Sequence, residues 1–156
     1  MAKALHRPDP DPSERDFHAW LVEQAGHARA GRVEALDLEH IAEELAGLAR
    51  SDQHAIESRM DRLVTRLIRL GHVRDQGPRR GWVLAVNEQR RRIRRLIGSS
   101  PSLAGCPAQV LDDAYAAALG DLEGEPGLPP GAFPARCPFT IEQVLDRRFV
   151  PAPPGG

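Results

Sequence analysis

Apolar side chains recur at steps of three and four from Leu38 to Leu70. The series runs Leu38, Ile41, Leu45, Leu48, Ile56, Met60, Leu63, Leu67 and Leu70, with Asp52 in the place between Leu48 and Ile56. That period belongs to a helix with one buried face. Asp37 is a suitable N-cap, and Glu39, Glu43 and Glu44 follow it where the helix dipole favours anions. Arg62, Arg66 and Arg69 stand near the other end, where the dipole favours cations, and Gly71 is placed to stop the helix. A continuous helix over 37–70 would be about 51 Å long at 1.5 Å per residue. Ser51 offers a second cap, so a break near Arg50 is the alternative.

Shorter patterns flank this one. Ser13 with Asp16 forms a weak capping box ahead of Phe17, Trp20, Leu21, Gln24 and Ala28, and Gly31 closes that helix. After Gly77-Pro78, read as loop, Trp82, Val86, Gln89, Ile93 and Leu96/Ile97 mark a helix from Arg79 to Ile97, which Gly98 ends. Ser100-Pro101 starts another, strongest over 107–122. Residues 123–139 are rich in Pro and Gly and read as a wrap. Thr140 and Gln143 make a capping box for a last short helix to about Arg148. The helix at 79–97 would return antiparallel over roughly 51–70, and the first helix would cover roughly 37–52. Trp20 and Trp82 lead their stripes and are expected as core anchors.

These patterns predict an all-α fold, a helical bundle of about five helices built around one long central helix at about 37–70. Residues 13–150 are expected to form a single helical domain. The proline-rich segment 1–12 and the tail 151–156 are expected to be disordered. Aromatic residues are only 4%, which disfavours a β-sandwich. No apolar run approaches a membrane span, and the first residues lack a secretory h-region. A cytoplasmic protein is expected.

Several landmarks stand in an ordered series. They are Asp16-Phe17-His18-Ala19-Trp20, Glu34-Ala35-Leu36-Asp37-Leu38-Glu39, Ala42-Glu43-Glu44-Leu45, and Trp82 followed by Glu88-Gln89-Arg90. Ser100-Pro101-Ser102-Leu103 and Phe133-Pro134 through Cys137-Pro138-Phe139-Thr140 complete it. Across roughly 14–152 the chain resembles the bacterial domain-of-unknown-function family 29. The resemblance implies an all-helical fold. It implies no activity and supplies no catalytic residue.

Charge alters the picture more than composition does. The net charge of −1 is unevenly spread. Residues 1–77 carry 11 basic and 14 acidic groups (−3), residues 78–98 carry seven arginines against Glu88 (+6), and residues 99–156 carry three against seven (−4). Arg79, Arg80, Arg90, Arg91, Arg92, Arg94 and Arg95 are therefore the candidate anion or partner surface, with Arg90–Arg95 fanned opposite the apolar stripe. The plainer alternative is a solvated face that pairs with acidic neighbours. Gln24, His27, Asp52 and Gln89 interrupt apolar stripes and are candidate buried polar positions, either a ligand site or a structural network.

Other chemistry is poorly supported. His40 with Glu44 and Asp37, or His54 with Glu57, has helical spacing for one metal ion, but no converging set on other helices accompanies it. No metal and no cofactor is expected. Cys106 and Cys137 match no zinc or redox spacing and read as small buried hydrophobes. There is no phosphate loop, nucleophile elbow or His-Glu-x-x-His. The leading expectation is a non-enzymatic helical interaction module that binds another protein. Nucleic-acid binding through the same arginine helix is the alternative, and an enzyme with an unrecognised site is the third.

Overall fold

The computed structural model describes residues 16–72, 76–125, 131 and 133–152, and among them every regular element is helical. Six α-helices follow in order: α1 Phe17–Arg29, α2 Leu38–His72, α3 Gln76–Ser99, α4 Cys106–Gln109, α5 Leu111–Leu122 and α6 Ile141–Leu145. Single 3₁₀ turns stand at Val33–Ala35 and Pro101–Leu103. The chain divides into two compact units between Gly47 and Leu48.

In the first unit Asp16 caps α1, its Oδ1 accepting from the Ala19 N–H at 2.9 Å. Ser13 and the expected disordered segment 1–12 lie outside the described residues. Trp20 is buried, stacks on Phe17 and meets the His40 ring edge-on. The Gln24 side chain accepts from the Asp37 N–H at 2.9 Å, fixing the turn into α2. Asp37 caps α2 as expected, its Oδ1 accepting from the His40 N–H.

The helix α2 is unbroken through Ser51, at 35 residues. Its second half carries the core. Ile56, Met60, Leu63, Val64, Leu67, Ile68 and Leu70 are buried with Val86 and Ile93 of α3, Ala114, Tyr115, Ala118 and Leu122 of α5, and Val144 of α6. Polar bonds set the register between α2 and α3: Arg59 donates to Gln89, and Arg79 donates to the Leu70 carbonyl. An advance of eleven residues along α2 meets a retreat of ten along α3, so the two run antiparallel. By the same ratio Ser99, the last residue of α3, comes opposite Leu48, and the buried stripe of α2 over 56–70 lies within the paired stretch.

The first half of α2 departs from expectation. Leu38, Leu45 and Leu48 are exposed, as are Phe17, Leu21, Val22 and Val33. Within the first unit α1 therefore leaves Leu38 and Leu45 uncovered, against the expected cover; its contacts with α2 are made at the first turn, through Trp20 and Gln24. Trp82 is only half-buried at the edge of the core, unlike Trp20.

Element ends differ for physical reasons. Gly77-Pro78 lies inside α3 rather than in a loop, because a first-turn proline lacks an N–H that would have had no partner there. Gly71 does not end α2. A side chain there would put its Cβ 3.3 Å from the Pro151 ring, so the glycine admits a close crossing of the chain. Pro151 is buried at that crossing, so the ordered part of the chain extends into the expected tail. The 107–122 helix is interrupted at Val110.

The proline-rich wrap is tied by side chains. Tyr115 donates its hydroxyl to the Pro134 carbonyl at 2.7 Å, and Phe133 packs edge-on against His72. Phe139 packs edge-on against Phe149. The capping box at Thr140 and Gln143 forms in both directions, but α6 stops at Leu145 rather than near Arg148. Thr140→Ala should lower stability by about 0.5–2 kcal/mol through loss of this cap. A urea unfolding curve checks it, and an unchanged midpoint would show that docking alone holds α6.

Candidate functional site on helix α3

The seven arginines of 78–98 do not form one surface. Arg90 is fully buried, although its place in the sequence put it in the outward fan. Its Nε donates to the Val144 carbonyl at 2.7 Å, Nη1 to the Phe149 carbonyl at 3.0 Å and Nη2 to the Gln143 carbonyl at 3.2 Å. Nη1 also reaches the Asn87 side chain at 3.3 Å. The C-terminal end of α6 and the segment after it leave carbonyls short of helical partners, and one planar guanidinium serves three of them, of which Gln143 also accepts from the Asp146 N–H at 3.3 Å. Burial pushes Arg90 down to about 10, with Asp146 opposing that change, so the group remains charged at neutral pH. Arg79 works in the same manner. Its two Nη atoms donate to the Leu70 and Pro151 carbonyls, each at 2.6 Å. Arg79 and Arg90 are thus internal fasteners and leave the candidate surface.

The remaining arginines face outward. Arg80, Arg91, Arg92, Arg94 and Arg95 are exposed. Arg91 donates twice to Glu88 Oε2, at 2.9 and 2.7 Å, and Arg92 Nε donates to Oε1 of the same carboxylate. These bonds hold the Glu88 carboxyl below its ordinary range, Arg92 contributing most. The guanidinium groups of Arg94 and Arg95 make no hydrogen bond or ion pair with any described residue; the Arg95 carbonyl accepts from Ser99 Oγ at 3.1 Å. A hollow of about 580 Å³ lies between this face and the end of α6, lined by Asn87, Arg94, Leu145, Asp146, Arg147 and Arg148, and two smaller ones lie along the face. One, of about 260 Å³, is lined by Leu84, Asn87, Glu88, Arg91, Arg94 and Arg147. The other, of about 330 Å³, is lined by Arg59, Arg91, Arg92, Arg95, Leu96 and Ser99. Glu88 is the single carboxylate lining these two smaller hollows. Arg59, contributed by α2, was not among the residues that sequence reasoning singled out; it lies on the polar side of the α2 stripe, where nothing in the spacing distinguishes it from Arg62.

The four interrupting polar residues are separated by the structure. Gln24 is buried and serves the turn at Asp37. His27 is half-buried, accepts from Arg32 Nε at 3.2 Å and lies 3.6 Å from Glu23. Gln89 is half-buried and accepts from Arg59 at 3.5 Å. Asp52 is exposed, as are Ser51, Gln53 and His54 beside it. They form no common cluster.

A family model, described as Domain of unknown function DUF29, matches residues 13–150. The chain belongs to the DUF29 family. No curated protein and no solved structure matches it. In this DUF29 domain Cys106 and Cys137 are free thiols, and burial pushes both upward, away from thiolate. Among the described residues no group of three or more His, Cys, Asp or Glu side chains converges as metal ligands would. His40 and Asp37 approach to 2.7 Å within the first unit; that bond, before the others, holds the Asp37 carboxyl down. What the α3 face offers chemically is a set of fixed cationic donors for an anion.

Two outcomes follow for the DUF29 domain. Arg90→Lys should lower unfolding free energy by roughly 2–4 kcal/mol, because one ammonium cannot serve three buried carbonyls and each orphaned group costs about 1–3 kcal/mol. Arg94→Ala should change it by less than about 0.5 kcal/mol; denaturant midpoints of the pair check both. For Asp37 the folded pKa lies below the ordinary 3.8. Its contribution is therefore complete above that value and is lost as pH falls through the lower folded value. An acid titration of Asp37→Asn against the parent chain, followed by helicity, should show the parent losing its advantage only in that acid range.

Proposed function

We propose that this DUF29 protein is a non-enzymatic interaction module of the cytoplasm that binds an acidic segment of another protein through the outer face of α3. The observation that carries this is the pair Arg94 and Arg95, exposed and with guanidinium groups that have no described partner, flanked by the two smaller hollows, whose lining holds six different arginines and one carboxylate. Exposed guanidinium groups with no internal acceptor are available to external carboxylates, and such complementarity steers encounter and fixes register. The free thiols, Cys106 buried and Cys137 half-buried, suit a reducing compartment. A protein partner is favoured over nucleic acid because no aromatic side chain lines either hollow, so the face lacks stacking platforms, and the chain as a whole is not basic.

The double variant Arg94→Glu/Arg95→Glu tests this. Exposed pairs are worth about 0–1 kcal/mol, so its melting temperature should stay within a few degrees of the parent's. It should lose the protein set that the parent captures from native extract, and nuclease treatment should leave the parent's set intact. Capture unchanged by the substitutions would defeat the proposal. Capture abolished by nuclease would transfer the face to nucleic acid.

A further inference from the structure

The hollow between α2 and α3 has a more specific character than the rest of the face. Arg59 enters it from α2, while Arg91, Arg92 and Arg95, at helical spacing, enter it from α3. Glu88 is the carboxylate that serves Arg91 and Arg92, and its two oxygens are already divided between them. Four guanidinium charges against one carboxylate leave +3 around a space of about 330 Å³. The Arg59 Nε is shielded from solvent and has no hydrogen-bond partner. Its Nη1 contact with Gln89 is long, at 3.5 Å. A shielded donor without an acceptor lowers stability until something accepts from it. Burial, followed by the charges of Arg92 across the hollow and of Arg62 beside it on α2, also pushes Arg59 below its ordinary range.

We infer that this hollow binds a phosphoryl dianion, either free phosphate or a phosphorylated side chain. A further carboxylate would supply one negative charge and two oxygens. A phosphoryl group supplies nearly two charges and three acceptor oxygens, matching convergent planar forks from two helices. A phosphodiester, with one charge and two free oxygens, matches less well. Binding would give the Arg59 Nε its acceptor and reduce the +3 to about +1. This inference rests on α3 being an anion-binding face and shares Arg95 with that reading, while Arg59 and Arg92 line this hollow and not its smaller neighbour.

Calorimetry on the full chain at fixed ionic strength tests it with three probes. They are inorganic phosphate, a short phosphoserine peptide beside its unphosphorylated twin, and a short single-stranded oligonucleotide. The phosphoserine peptide should bind at least about tenfold tighter than its twin, and its affinity should rise as pH passes the second ionisation of the phosphoserine near 6. Arg59→Gln and Arg92→Gln should each weaken phosphate about fivefold or more, while Arg80→Gln leaves it unchanged. Arg92 is exposed, so its variant keeps the test valid if Arg59→Gln fails to fold, which circular dichroism reports. Phosphate binding without peptide binding would assign the site to the free anion; binding of both would extend it to phosphorylated side chains. The inference is overturned if phosphate binding survives in both variants, if phosphate acts no differently from chloride, or if the oligonucleotide binds better per phosphate. Loss of partner capture in Arg94→Glu/Arg95→Glu with no phosphate binding would defeat this inference and leave the protein-binding proposal standing.

Discussion

A buried arginine fastens the end of the second unit. Arg90 sits with no solvent exposure among Val86, Ile93 and Val144, an environment that would reject an isolated charge. It is tolerated because three backbone carbonyls from 143–149 accept from it. α6 is five residues long and has too few internal bonds to persist alone. The capping box at its start, the guanidinium at its end and Val144 in the core together define it. Arg79 repeats the device one step further on, holding Pro151 across Gly71. Two arginines on one helix thus organise a proline-rich stretch that has little regular structure of its own.

That division of labour gives α3 two faces of opposite use. Inward arginines spend their donors on carbonyls, which have no charge to neutralise the guanidinium. Outward arginines have one carboxylate among them, Glu88, and Arg94 and Arg95 have none. Among the described residues Glu88 is the carboxylate that pairs with these outward arginines. Asp61 shows where part of the chain's other acidity lies: burial, then Asp121, pushes its carboxyl up, so acidic groups crowd one another near α5 rather than meeting α3. The charge segregation visible along the chain persists in space.

Much of the fold was legible because its determinants are local. The 3.6-residue stripe of α2, the Asp37 cap and the Thr140–Gln143 box each lie within a turn or two of the structure they dictate. The antiparallel return of α3 followed from helix lengths. Burial of Arg90 was not legible, because its acceptors are main-chain carbonyls more than fifty residues away, and a carbonyl leaves no mark in the sequence. Nor did the pattern reveal that Leu38, Leu45 and Leu48 stay exposed. A stripe says which face of a helix is apolar; what covers it depends on where the neighbouring helix ends, and α3 ends at Ser99. Of the candidate site, the exposed arginines were visible as a charge run, whereas Arg59 entered only through its place across from α3.

The central claim is that α3 separates arginines that hold the fold from arginines that face outward. Amide hydrogen exchange over 141–151, compared among the parent chain, Arg90→Lys and Arg94→Glu/Arg95→Glu, tests it most directly. The account predicts that protection at Val144, Leu145 and Phe149 collapses in Arg90→Lys and is unchanged in the double variant. Protection retained in Arg90→Lys, or lost in both, would contradict it.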